Sequence, residues 1–345
     1  MYLPSRMISI PRKEGRFMHK RFEYQSILAP YIRDFIHLKE DTGCNFLRGK
    51  WILNEIDQFF LKNNILEPII TREFVLAWHK TRINDSPATI YSKYSILAQL
   101  SRYMSRQGCN CFIPRLPESQ HSKCNFTPYI YTHHQIDRLL QLSAGLRMYD
   151  RHMSNTIFCV PAVLRLLYST GLRVSEALSI KNNDVKLEKG YIHISKSKNG
   201  SERIVPINAS LCGVLQQYAS YRNRMPVYNV DSPNSFFFIK SDGTYCNAQA
   251  VYKWFRQLLT ECGIPYIGNH HGHRVHDLRH TFAVHAMVKM AHNSHDLYSS
   301  LPVISACLGH KSLFATEQYV RLTGEMYPEL ISQCSPINAF VYPKI

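Results

Sequence analysis

Between Gly108 and Pro128 the apolar period that organises the chain on either side stops. Pro114, Pro117 and the polar run Glu118-Ser119-Gln120-His121-Ser122-Lys123 leave this stretch with no helical or strand face to bury. A chain interrupted there cannot close around one core. At roughly 150 residues per domain, the 345 residues lead to the same division, and an apolar content of 45% suffices for two cores. We therefore expect a basic arm over residues 1–20, a helical domain over 21–110, a linker over 111–128, a second domain over 129–324 and a tail over 325–345.

Ahead of the break the spacing is helical throughout. Ile27, Leu28, Tyr31, Ile32 and Phe35 mark one helix, Leu47, Trp51, Ile52, Ile56 and Phe59 a second, and Thr71 to Trp78 a third. Ser86-Pro87 opens a fourth, a capping hydroxyl followed by proline, with Ile90, Tyr94, Leu97 and Met104 on one face. Its polar side carries Lys93, Arg102 and Arg106, the candidate DNA-binding cations of a small helical bundle.

Past the break the pattern is mixed. Thr132 and Gln135 form a capping box, and a helix with Val160, Val163, Leu164 and Leu167 stops at Gly171. Arg173 and Glu176 follow at a spacing that elsewhere marks a surface ion pair. Two strand-like runs, Tyr191 to Ser195 and Glu202 to Ile207, flank Lys196-Ser197-Lys198-Asn199-Gly200, whose Asn-Gly signals a hairpin turn with Lys198 beside its tip. An Asp242-Gly243 turn and a helix over Gln249 to Leu259 come next. A helix over 276–290 would place His276, Arg279 and His280 on one face, and Leu278, Phe282, Ala286 and Met290 on an apolar stripe. The fold class is thus mostly α with a small β-hairpin.

The charge narrows the partner. With 41 Lys and Arg against 25 acidic residues the chain carries +16, which favours a polyanion such as nucleic acid. No apolar run approaches the roughly 18 residues of a membrane span, and residues 1–20 lack a signal-peptide core, so we expect a cytoplasmic protein. The ten cysteines show no disulfide-framework spacing, and reduced thiols fit best. Cys109, Cys111, His121 and Cys124 depart from structural-zinc spacing, and no acidic cluster suits paired magnesium ions, so no metal or other cofactor is expected.

Gly309-His310, with Tyr319 nine positions after that histidine, completes a set of chemical groups. Guanidinium groups hold phosphate bidentately and imidazoles donate or take protons, so a cationic pocket with a tyrosine suits attack by a phenol on a phosphodiester.

Together these segments resemble the tyrosine recombinases, or phage integrase family. Gly171-Leu172-Arg173-Val174-Ser175-Glu176 is similar to the family's first arginine box, Lys198 to its hairpin lysine, and His276-Asp277-Leu278-Arg279-His280 to its His-x-x-Arg box. Leu308-Gly309-His310 and Tyr319 are similar to its last histidine and its nucleophile. The resemblance implies a helical core-binding domain followed by a catalytic domain of the DNA-breaking-rejoining type, with Arg173, Lys198, His276, Arg279, His310 and Tyr319 catalytic and Glu176 and His280 supporting.

In that scheme Arg173, Arg279 and His310 hold the phosphate oxygens, Lys198 protonates the leaving 5′ oxygen, and His276 helps remove the phenolic proton. The implied activity is site-specific cleavage and rejoining of double-stranded DNA through a 3′-phosphotyrosine, for integration or excision of a mobile element in a bacterial nucleoid. It implies a homotetramer on two duplexes, with accessory recombinases or directionality factors as further partners and a tail exchanged between subunits. A type IB topoisomerase or telomere resolvase would use the same groups, and an inactive DNA-binding regulator is a third alternative.

Overall fold

The computed structural model describes residues 22–43, 46–118, 127–146, 156–195, 202–265, 267–268, 272–293, 295–310 and 312–330. These fall into two compact units that meet in sequence between Phe126 and Thr127. The expected arm over 1–20, the hairpin tip with Lys198, and His121 and Cys124 lie outside the described residues. Among those described, no helix is long and apolar enough to cross a membrane and no group of His, Cys, Asp and Glu has the makings of a metal site.

The first unit is a four-helix cluster: α1 (Ala29–Asp41), α2 (Leu47–Lys62), α3 (Arg72–Lys80) and α4 (Pro87–Arg106). Thr71 and Ser86 cap α3 and α4 by accepting from the amides of Phe74 and Thr89, which satisfies donors that have no intrahelical partner. Leu28, Ile32, Leu53, Ile56, Phe60, Trp78, Leu97 and Met104 fill the centre. The Phe112 amide donates to the Ile70 carbonyl at 2.7 Å, so the first two residues of the expected linker stay with this unit.

The structure corrects one expectation here. Lys93 is buried, not on an open basic face, and its Nζ donates to Glu55 and Asp85, each at 2.7 Å. It is a structural ion-pair centre that joins α4 to α2. Arg102 and Arg106 are exposed, and Arg106 shares a hollow with Asp34 and Asp41.

In the second unit, α5 (His133–Ala144), α6 (Val160–Thr170), α7 (Val174–Ser179), α8 (Ala209–Asn223) and α9 (Ala248–Glu261) pack with an antiparallel sheet of β1 (Val185–Lys186), β2 (Tyr191–Ile194) and β3 (Arg203–Pro206). Ile192 pairs with Val205 and Ile194 with Arg203. Ile192, Ile194 and Val205 face the core, and strand alternation puts Arg203 on that same inner face. Thr132 and Gln135 form the expected capping box at α5.

A second cluster is built by α10 (Asp277–His292), α11 (Leu297–Leu308) and α12 (Phe314–Met326). Because α6, α11 and α12 all pack on α10, it is buried nearly all round, with Thr281, Ala283, Val284 and Met287 among its deepest positions. The expected stripe of Phe282, Ala286 and Met290 is only half-buried beyond Leu278. Surrounding helices, not solvent, cover the opposite side. The first part of the expected tail packs on this same cluster, where Leu330 is buried.

Candidate active site

Gly171 ends α6 in the left-handed conformation, φ 63°, and a Cβ there would sit 2.4 Å from the Phe282 ring. Only glycine fits. The reversal brings Arg173 to the start of α7, where its backbone N–H and its Nη1 donate to Glu176 at 3.1 and 2.8 Å. Glu176 is 2% exposed, so this is no surface pair. From β3, Arg203 Nη2 donates to the same carboxylate at 2.8 Å, while its Nε donates to the Cys307 carbonyl at 3.1 Å. Burial pushes the Glu176 carboxyl up, but the hydrogen bonds and charges of Arg203 and Arg173 outweigh this and hold it below its ordinary range.

Arg279, on the first turn of α10, is 2% exposed. Its Nη1 donates to the Gly171 carbonyl at 2.7 Å and its Nη2 to the Leu308 carbonyl at 2.8 Å, tying the ends of α6 and α11 together. Burial and the charge of Arg173 lower it to about 10, and it remains a cation at neutral pH. Gly309 ends α11, again left-handed at φ 66°, and a Cβ there would lie 2.7 Å from Arg203 Nη1. The turn delivers His310, whose Nδ1 shares a hydrogen with Thr316 Oγ1 at 2.8 Å.

Tyr319 on α12 is 1% exposed, and its hydroxyl lies 2.9 Å from His280 Nδ1. The His310 ring runs parallel to it with centroids 6.4 Å apart, and His276 meets His280 edge to face at 4.9 Å. Burial raises the phenol, and Arg279 opposes the rise. All three histidines are held neutral at pH 7. Burial, then the charges around it, lowers His280 to about 3 and His310 to about 4. His276 reaches solvent on one side, yet lost hydration on the other and the charges of Arg279, Arg173 and Arg274 bring it to about 4.

Seven of the residues singled out from sequence thus converge: Arg173, Glu176, His276, Arg279, His280, His310 and Tyr319. Lys198 falls between β2 and β3, outside the described residues. Two members escaped the sequence, Arg203 and Thr316. The histidine hydrogen-bonded to the phenol is His280, and His276 stands behind it. With the histidines neutral, the guanidinium groups of Arg173, Arg203 and Arg279 outnumber the Glu176 carboxylate among the described residues, an excess of positive charge that calls for an anion.

These groups have the chemistry that attack of a phenol on a phosphodiester requires. The family model described as the phage integrase family matches residues 130–326. The y4rB protein of Sinorhizobium fredii, whose name assigns it as an integrase/recombinase, is 28% identical over 307 residues, covering 88% of this chain and 94% of that protein. Tyrosine recombinase XerD of Oceanobacillus iheyensis is 27% identical over 251 residues, 73% of this chain and 77% of the relative. Among solved structures, the XerH recombinase in its post-cleavage complex with difH DNA superposes with a TM-score of 0.60 at 20% identity, over 83% of this chain and 79% of that one, a likeness of fold.

The chain belongs to the phage integrase family, the tyrosine recombinases. It is a site-specific DNA recombinase.

Proposed function

We propose that Tyr319 attacks the scissile phosphodiester of a duplex recombination site, giving a 3′-phosphotyrosine and a free 5′ hydroxyl. The observation that carries this is the placement of the Tyr319 hydroxyl beside the neutral His280 and within the field of Arg279 and Arg173. Charge building on the nonbridging oxygens is met by Arg173, Arg279 and the Nε2 side of His310, oriented before the reaction by Glu176, backbone carbonyls and Thr316. Lys198 protonates the 5′ oxygen as it leaves. The phosphotyrosine keeps the energy of the broken bond, so a 5′ hydroxyl from a second duplex reseals it without nucleotide hydrolysis.

In the same reading, four copies act on two DNA duplexes to integrate or excise a mobile segment; the +16 charge favours the DNA partner, and the name of the y4rB relative favours integration. The exposed Arg102 and Arg106 of the helical unit contact phosphates. The test starts by mapping the ends of the segment that carries the gene and building a nicked duplex from that site. The wild-type protein forms a denaturant-resistant adduct with this duplex, and Tyr319→Phe forms none. An adduct persisting in Tyr319→Phe assigns the nucleophile elsewhere.

A further inference from the structure

We propose that His280, the residue after the His-x-x-Arg box, is the group that takes the phenolic proton during cleavage and returns it during resealing. The proposal rests on Tyr319 being the nucleophile. Three imidazoles stand near that phenol, and the geometry separates them. His280 Nδ1 is 2.9 Å from the hydroxyl oxygen, the distance of a proton-transfer hydrogen bond. His310 has its Nδ1 committed to Thr316 at 2.8 Å and lies parallel to the phenol ring. Among the histidines, Tyr319 makes ring contacts with His280 and His310, while His276 stands behind, edge-on to His280 at 4.9 Å.

The groups that act on His280 are His276, Arg279 and Arg274 from its own helix and the turn before it, and His310 from the far side. Together with burial they keep the imidazole neutral, so its lone pair is free to accept. In that field it is also a weak base, and the bound phosphodiester changes this. An anion among Arg173 and Arg279 offsets the charges that disfavour the imidazolium, so the base gains strength only when substrate is present.

The step balances. As the Tyr319 oxygen bonds to phosphorus, its proton passes to His280 Nδ1, the bond to the 5′ oxygen breaks, and that oxygen takes a proton from Lys198. In resealing the 5′ hydroxyl returns its proton to the Lys198 amine as its oxygen bonds to phosphorus, the bond to the Tyr319 oxygen breaks, and the imidazolium returns its proton to the departing phenol. His276 then acts through His280, as a positioning residue.

A buried hydroxyl also needs a partner for stability alone, and the experiment separates the two roles. Adduct formation is followed on the nicked recombination-site duplex carrying sulfur at the 5′ bridging position, which removes the need for Lys198 to protonate the leaving group. His280→Asn keeps a hydrogen-bonding group near Nδ1 but no base. It is expected to bind DNA normally and form the adduct about 100-fold more slowly. Its rate should rise with pH toward the range of the phenol, where the wild-type rate is already level. His280→Ala should be slow and rescued by added imidazole. An asparagine variant within about threefold of the wild type, or imidazole rescue of His276→Ala but not of His280→Ala, overturns the assignment. An adduct surviving in Tyr319→Phe instead undermines the nucleophile itself, and is read separately.

Discussion

Replacing Arg203 by methionine removes one of two guanidinium groups from a carboxylate that has almost no access to water. The Glu176 side chain is 1% exposed and that of Arg203 9%, so neither is screened by solvent. Removing one partner of a buried pair costs about 3–5 kcal/mol, because the remaining charge stays behind without compensation. Glu176 keeps the Nη1 and backbone N–H of Arg173, which puts the loss at the lower end, while the Cys307 carbonyl also forfeits its 3.1 Å donor. We expect a net loss of about 3 kcal/mol, or a fall in melting temperature of roughly 6–12 °C for a unit of this size.

Urea unfolding and thermal melting of wild type, Arg203→Met, Glu176→Gln and the double variant measure this. The double variant should lose less than the sum of the single ones, since each single change already breaks the shared contact. The activity should fall as well, because Arg173 loses the anchored carboxylate that orients it. If Arg203→Met melts within about 2 °C of the wild type, the buried-pair reasoning is wrong.

Two further outcomes follow from groups away from the reacting atoms. Lys93→Met should lower the stability of the helical unit by breaking the contacts to Glu55 and Asp85, and should leave the salt dependence of DNA binding unchanged; Arg102→Ala and Arg106→Ala should each reduce the salt slope by about one with little change in melting. The opposite pattern in titrations at varied salt would return Lys93 to the DNA surface. His285 is 8% exposed, stacked on His133 at 3.9 Å and bonded through Nδ1 to the Tyr168 hydroxyl, and burial with the His133 charge lowers it to about 4. Its folded form resists protonation, so nothing is lost above the unfolded value near 6.5. Below it the unfolded chain takes up the proton first, and by pH 5 this site alone costs about 2 kcal/mol. Urea midpoints at pH 7.5 and 5 should therefore differ less in His285→Leu than in the wild type, and equal differences would rule this histidine out.

The parts of the fold that sequence revealed are those with local causes. Ser86-Pro87 and the Thr132–Gln135 box start helices through their own side chains, and Gly171 and Gly309 end them in the left-handed conformation that glycine adopts without strain. Arg173 and His310 follow such stops within two positions, and His276, Arg279 and His280 fall in the cap and first turn of α10. What was missed depends on contacts distant in sequence. Arg203-Ile204-Val205 gives no phase to a strand reader, because Ile204 and Val205 are both apolar; pairing with β2 turns Arg203 inward and leaves Ile204 61% exposed. Lys93 looked like a surface cation until α2 supplied Glu55 from 38 residues away. Helix α8 went unread because its inner face, Leu211, Leu215 and Tyr218, ends in a buried arginine, Arg222, held by Asn182 and the Phe237 carbonyl.

Arg203 is the first residue of β3, paired with Ile194 at the turn-side end of the strands, and it is attached there to α7 and α11. The spacing of Arg203 and Arg173 is set by their shared carboxylate and by the α11 carbonyl. A substitution of Lys198 should therefore leave the buried contacts of Arg203, Glu176 and Arg173 in place.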